Sequence, residues 1–336
     1  QRETPGHSSV ARSRRSNALG KHGMVASSQP LASLAGLDIL KSGGTAADAA
    51  VAVAAMLNVV EPFSTGIGGD CFVLYWEASS QSVYGLNGSG PAAVKANLQE
   101  LIEAKHEQFP LFTGQAVTVP GTVRTWSALL ERFGNKTLAK TLEPAIRTAY
   151  EGYAVTEWIS SGWSLMVDRL LRQNNNENLP KYLQFPGNHQ LSGNEFLVNG
   201  RAPLFGEWIN LPTLGQTLAN IAEKGKDFFY TGEFAKKLCE YVQAYGGWLE
   251  PSDLDRYQPE WVEPIFADYH GVRLYECPPN GQGLAAIIAA KIANGFDIAN
   301  MDYDQRTHTL IESMRLGFQE ALNWVSDPLF NDIPVE

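Results

Sequence analysis

Gly43-Gly44-Thr45-Ala46-Ala47-Asp48-Ala49-Ala50, then Glu61-Pro62-Phe63-Ser64-Thr65-Gly66-Ile67-Gly68-Gly69-Asp70, then Cys71-Phe72-Val73-Leu74-Tyr75-Trp76, is the stretch on which the fold turns. Gly43-Gly44 closes a helix expected over about Leu31 to Lys41. Thr45 and Asp48 have capping-box spacing, a hydroxyl and a carboxylate each satisfying a free amide at a helix start. The helix after them, through about Asn58, is apolar on every side; it is read as buried, and its small side chains let a neighbour come close. The unbroken apolar run 71–76 predicts a strand covered on both faces. Ser79-Ser80 turns it back into a second strand near Val83 to Leu86. A hairpin between layers, with a buried helix in one of them, makes the chain α+β.

Gly66-Ile67-Gly68-Gly69 invites a dinucleotide-binding reading, which its surroundings exclude. The third glycine of a GxGxxG pattern falls on Cys71, and the loop follows a helix and precedes a strand, the reverse of the order that puts a pyrophosphate on a helix N-terminus. It is read as a tight turn.

Further along, helical spacing covers 96–106, 122–133 and 137–151, with Thr122 and Thr137 as caps. A polar, irregular excursion runs from about 171 to 210, including Asn174-Asn175-Asn176-Glu177-Asn178. Helices near 213–224 and 232–245 are stopped by Gly225 and Gly246. Strand-like pieces near 261–267 and 272–277 lead to the turn Pro278-Pro279-Asn280-Gly281-Gln282-Gly283, and helices follow near 284–294 and 303–324. Residues 1–21, with Arg2, Arg12, Arg14 and Arg15 among Ser, Gly and Pro, read as an extended arm.

The 336 residues carry 26 Lys and Arg against 36 Asp and Glu, a formal net charge of −10, so no nucleic acid partner is expected. Charged residues are only 18% and apolar ones 44%, a composition that points to a large core and to surface covered by another chain. The longest unbroken apolar run, Ala49 to Leu57, falls far short of the ~20 residues that span a bilayer, and no apolar segment follows the basic start. The expectation is therefore no membrane association and a cytoplasmic location. Cys71, Cys239 and Cys277 are too scattered for a disulfide framework or a CxxC metal site.

No GxSxG elbow, HExxH helix or GxxxxGK[ST] loop is present, and His7, His22, His106, His189, His270 and His308 show neither ligand spacing nor a nucleophile partner. Asp253 and Asp255 after Pro251 look like a helix start, and Glu312 sits on an amphipathic helix. Neither a metal nor a cofactor is implied. By its own residues the chain holds no complete active site.

The order of segments nonetheless resembles one family. His22-Gly23-Met24-Val25-Ala26-Ser27-Ser28-Gln29-Pro30-Leu31-Ala32, the 43–50 stretch, Glu61-Pro62, Gly66–Gly69, Leu214 to Ile221, Phe229-Tyr230-Thr231-Gly232, Gly246-Gly247, Asp253-Leu254, Tyr257, the Pro278-Pro279 turn, Glu312-Ser313-Met314 and Asp327-Pro328 occur in sequence. Together they resemble the large subunit of the gamma-glutamyltransferases (glutathione hydrolases), over nearly the whole chain from residue 22. That resemblance implies a four-layer αββα sandwich of the N-terminal-nucleophile hydrolase type, with 22–336 as the large subunit. It implies a self-cutting precursor whose small subunit begins with a nucleophilic threonine, the threonine's own α-amine serving as base. On this reading no catalytic residue lies among the 336; the partner is that small subunit, two such heterodimers pair, and the substrate is a small amide.

The family's large subunit brings an Arg–Glu pair shortly before a Pro after the second strand, and the Arg clamps the glutamyl α-carboxylate. Here that stretch reads Leu86-Asn87-Gly88-Ser89-Gly90-Pro91; aligned on Pro91, Asn87 takes the Arg position and Gly88 the Glu position. The resemblance thus makes Asn87 and Ser89 the candidate substrate-binding residues. It looks closest to the branch of glutathione-hydrolase-like proteins, oxamate amidohydrolase and cephalosporin acylases. Cleavage of an amide carrying a gamma-glutamyl or related small acyl group, with the acyl group passed to water or an amine, is the leading expectation. The same mechanism on oxamate or a glutaryl group is the alternative, and a noncatalytic binding scaffold is the reading from another class.

Overall fold

The computed structural model describes residues 17–106, 109, 113–175 and 194–335. Of the expected arm, 1–16 lies outside the described residues, as does 176–193 of the expected excursion; 17–21 is exposed and forms neither helix nor strand. In chain order the elements are α1 (Pro30–Lys41), α2 (Ala46–Val60), β1 (Cys71–Glu77), β2 (Ser82–Gly88), α3 (Leu98–Glu103), α4 (Thr122–Phe133), α5 (Leu138–Glu151), β3 (Tyr153–Ala154) and α6 (Glu157–Asn175). Then come β4 (Trp208–Ile209), α7 (Pro212–Lys224), α8 (Asp227–Tyr230), α9 (Gly232–Ala244), α10 (Pro251–Arg256), β5 (Glu260–Val262), β6 (Ile265–Tyr269), β7 (Val272–Glu276), α11 (Gly283–Ala293) and α12 (Tyr303–Trp324). The class is α+β. Among the described residues no helix is long and apolar enough to cross a membrane.

The chain forms two compact units, one of residues 22–71 and 88–259 and one of 72–87 and 260–336 together with the first 21. In the first, α1 packs on α2, α2 on α5 and α5 on α7. Helix α2 forms where the sequence predicts it. Thr45 Oγ1 accepts from the Asp48 amide (3.2 Å) and Asp48 Oδ2 from the Thr45 amide (2.7 Å). The same carboxylate also accepts from the amides of Asn135 and Lys136, so this one buried side chain ties the start of α2 to the turn before α5. Thr137 caps α5 as expected. Thr122, expected to cap α4, instead occupies its first turn, with Gly121 at the cap. The excursion is also less irregular than expected, because α6 runs to Asn175 and β4 pairs with β3 at its far end.

In the second unit the strands order β1-β2-β5, with β2 and β5 antiparallel and Leu86 opposite Trp261. The strand expected over 261–267 is two: Pro264, which has no amide proton to give a ladder, separates β5 from β6. β6 and β7 form a hairpin, and Ile265, Ala267, Leu284 and Ile287 make the core beneath α11. Helix α12 packs on α11 through a small-residue stripe, Ser313, Gly317 and Ala321; a methyl at Gly317 would come within 2.4 Å of the Ala285 carbonyl. β1 corrects the expectation of a strand covered on both faces. Its burial alternates, with Phe72, Leu74 and Trp76 half in solvent.

Candidate functional site

Asn87 is the penultimate residue of β2, half-buried and opposite Glu260 of β5 in the ladder. Its Nδ2 donates to Oδ1 of Asn280 at 2.9 Å, so the turn between β7 and α11 holds the Asn87 amide. A cavity of about 540 Å³ opens beside it. The turn at 278–283, read from the sequence as a loop, is thus a support for the candidate residue. Asn280 carried no local signal of this, since its partner lies 193 positions away in the chain.

Beyond Asn87 the backbone is pressed against the start of α4. A Cβ at Gly88 would lie 1.8 Å from Thr125 Oγ1 and 2.5 Å from the Cys71 carbonyl. At Gly90 it would lie 1.6 Å from the Val119 carbonyl. No side chain fits at either place, so the glutamate expected of the family at position 88 is excluded by packing. Ser89, between the two glycines, is half-buried. The Gly66–Asp70 turn meets the same helix start: the amides of Gly121 and Thr122 (3.0 and 3.1 Å) and the Thr122 hydroxyl (2.8 Å) all donate to the Gly69 carbonyl. That helix N-terminus is filled by protein, in keeping with the turn reading over the phosphate one.

Several titratable groups elsewhere in the chain are held in states or pairings that do not suit a nucleophile or base. Burial pushes the Cys239 thiol up to about 11 and also raises Cys277, whereas attack requires a thiolate. Burial likewise pushes the Tyr257 phenol up to about 12. Asp253 serves a capping box with Glu250 at the start of α10, and Glu312 pairs with Arg315 at 2.7 Å on α12. Among the described residues no three His, Cys, Asp or Glu side chains lie together as a metal site.

The model of the gamma-glutamyltranspeptidase family matches residues 32–336. The chain belongs to the gamma-glutamyltranspeptidase family. It is 33% identical over 321 residues to the glutathione hydrolase-like YwrD proenzyme of Bacillus subtilis (strain 168), covering 95% of this chain and 58% of that protein. Among solved structures it matches the cephalosporin acylase of Bacillus halodurans at 41% identity and TM-score 0.86, over 98% of this chain and 60% of the other. The gamma-glutamyltranspeptidase of Helicobacter pylori matches at 26% identity and TM-score 0.85, over 95% of this chain and 89% of the other. The chain therefore spans little more than half the length of the B. subtilis proenzyme it matches.

Proposed function

We propose that this chain is the large subunit, body 22–336, of a self-processing amide hydrolase and acyltransferase, completed by a small subunit cut from the same precursor. The observation that carries the reading is the family match across 32–336 in a chain spanning 58% of a proenzyme relative. In the completed enzyme the N-terminal threonine oxygen of the small subunit bonds to the amide carbonyl carbon. Its proton passes to the threonine's own α-amine and then to the departing nitrogen, leaving an ester that water or an amine resolves. Amide donors hold the oxyanion in transit. Asn87 and Ser89 belong to the wall that receives the acyl group.

The unfinished surface of the second unit supports a covering partner. Phe72, Leu74 and Trp76 on β1, and Leu316, Phe318 and Leu322 on α12, are all at least 40% exposed, large apolar side chains of the kind that a partner's surface covers. A small subunit seated there gives the four-layer αββα arrangement, and two heterodimers pair in the mature protein.

The test is expression of the full-length gene followed by mass spectrometry. The expected result is two stoichiometric chains, the second beginning with Thr, and loss of amide cleavage when that Thr is replaced by Ala. A precursor that stays whole and inert would leave only the noncatalytic scaffold. A second acyl class is favoured by one observation, the neutral Asn87 where the gamma-glutamyl enzymes place Arg.

A further inference from the structure

Asn87 is a neutral amide held by a second neutral amide, Asn280, at 2.9 Å. The cavity of about 540 Å³ beside it is of a size that small-molecule sites occupy. Its charged lining residues are Glu260 and Asp332, both carboxylates, and no Lys, Arg or His among the described residues lines it. Glu260 stands directly opposite Asn87 across the β2–β5 ladder, so a negative charge sits one strand from the candidate amide. Neither Glu260 nor Asp332 is in an ion pair with another described residue of the chain. The remaining wall is largely apolar, with Val262 and Ile333 part of it, and Asn331 adds a further neutral amide. A carboxylate entering here would give up its hydration for amide hydrogen bonds alone and would meet like charge. A protonated amine would meet opposite charge.

We propose that the acyl group received at Asn87 carries no free carboxylate, and that Glu260 and Asp332 select a protonated amine in its place. This rests on the reading that Asn87 faces the acyl group of an amide substrate. It separates the protein from enzymes that take gamma-glutamyl, glutaryl or oxamyl donors.

The experiment uses the processed two-subunit protein and four 4-nitroanilides of matched length: γ-glutamyl, glutaryl, 4-aminobutyryl and pentanoyl. Glutaryl brings only a carboxylate, 4-aminobutyryl only an amine, γ-glutamyl both and pentanoyl neither. The expected result is a kcat/KM for 4-aminobutyryl at least about tenfold above glutaryl, with pentanoyl between them. Glu260→Gln combined with Asp332→Asn, both exposed and outside the core, should bring 4-aminobutyryl down to the pentanoyl level. Asn87→Arg should raise glutaryl. Glutaryl or γ-glutamyl cleaved faster than 4-aminobutyryl, or a double variant with an unchanged ratio, overturns the proposal. Titration calorimetry with the four corresponding primary amides reads the same preference as binding where the protein does not cleave them. Cleavage of none of the anilides, with the amine-bearing amide still bound best, overturns the amide-cleavage reading and sustains the charge assignment; cleavage with a carboxylate preference does the reverse.

Discussion

Helices α2 and α12 have opposite relations to their own chain. Ten of the fifteen residues of α2 are buried, Val51 and Ala52 among them. Of the 22 residues of α12 only Ser313, Gly317 and Ala321 are buried, and they are its small ones; Leu316, Phe318 and Leu322 face outward at 53%, 44% and 80% exposure. Helix α2 is closed by the chain that contains it, whereas α12 rests on its chain through its small residues and leaves its large apolar side chains uncovered by it.

The sharpest way to break this contrast is to place one charge on each helix. Val51→Asp puts an unpaired carboxylate where 1% of the side chain meets solvent, and should cost more than about 4 kcal/mol, seen as loss of soluble folded protein. Close behind is Arg124→Met in α4. The Arg124 guanidinium is buried and donates from Nη1 to the carbonyls of Leu254 (2.9 Å), Asp255 (3.0 Å) and Tyr257, with the Tyr230 ring 4.2 Å away. Its loss takes the guanidinium donor from the Leu254, Asp255 and Tyr257 carbonyls, of which Leu254 keeps the Tyr257 amide, and should cost about 3 kcal/mol in urea unfolding of the two-subunit protein, with an unchanged m-value. A cost below about 1 kcal/mol would show that water replaces the guanidinium and that the helical unit is less closed than its burial suggests.

Leu322→Asp tests the other side. At 80% exposure the change should leave the chain's own fold within about 0.5 kcal/mol while weakening its hold on the second chain. The measurement is the concentration at which the two subunits separate in sedimentation, expected to rise at least about tenfold. Unchanged dissociation would mean that α12 faces water in the mature protein.

Much of this was legible in the sequence, and the rest was hidden for physical reasons. The capping box at Thr45 and Asp48, the Ala-rich run of α2 and the span of α12 are local patterns, and each fell within two residues of its observed bounds. The strand break at Pro264 was overlooked although its signal, a missing amide proton, was local too. Thr122 misled because a hydroxyl near a helix start can serve another segment's carbonyl, here Gly69, as well as its own helix. β1 misled because an unbroken apolar run does not tell whether this chain itself covers both faces of the strand. At the candidate site Asn87 and Ser89 came from position relative to Pro91, not from chemistry. Asn280, Glu260 and Asp332 reach Asn87 or its cavity from far along the chain, and no local pattern marks that.

The smallest effect expected sits on the rim of the helical unit, where closure no longer operates. Arg201 and Glu207 form a two-pronged ion pair at 2.7 and 2.8 Å, and the Leu204 amide also donates to Glu207. Chiefly through the Arg201 hydrogen bonds, the Glu207 carboxyl is held down at about 2. A carboxyl lowered in the folded state adds stability that is present above its unfolded value near 4.5 and is lost as pH falls toward 2. The melting temperature of the parent protein should therefore exceed that of Glu207→Gln slightly at neutral pH, with the gap closing between about pH 4.5 and pH 2. The pair is solvent-exposed, so raising the salt to about 1 M should shrink the neutral-pH gap as well. A gap that stayed constant through the acid range would show that neither the Arg201 pair nor the Leu204 amide sets it, because both bond the ionised Glu207 carboxylate and both weaken when it is protonated.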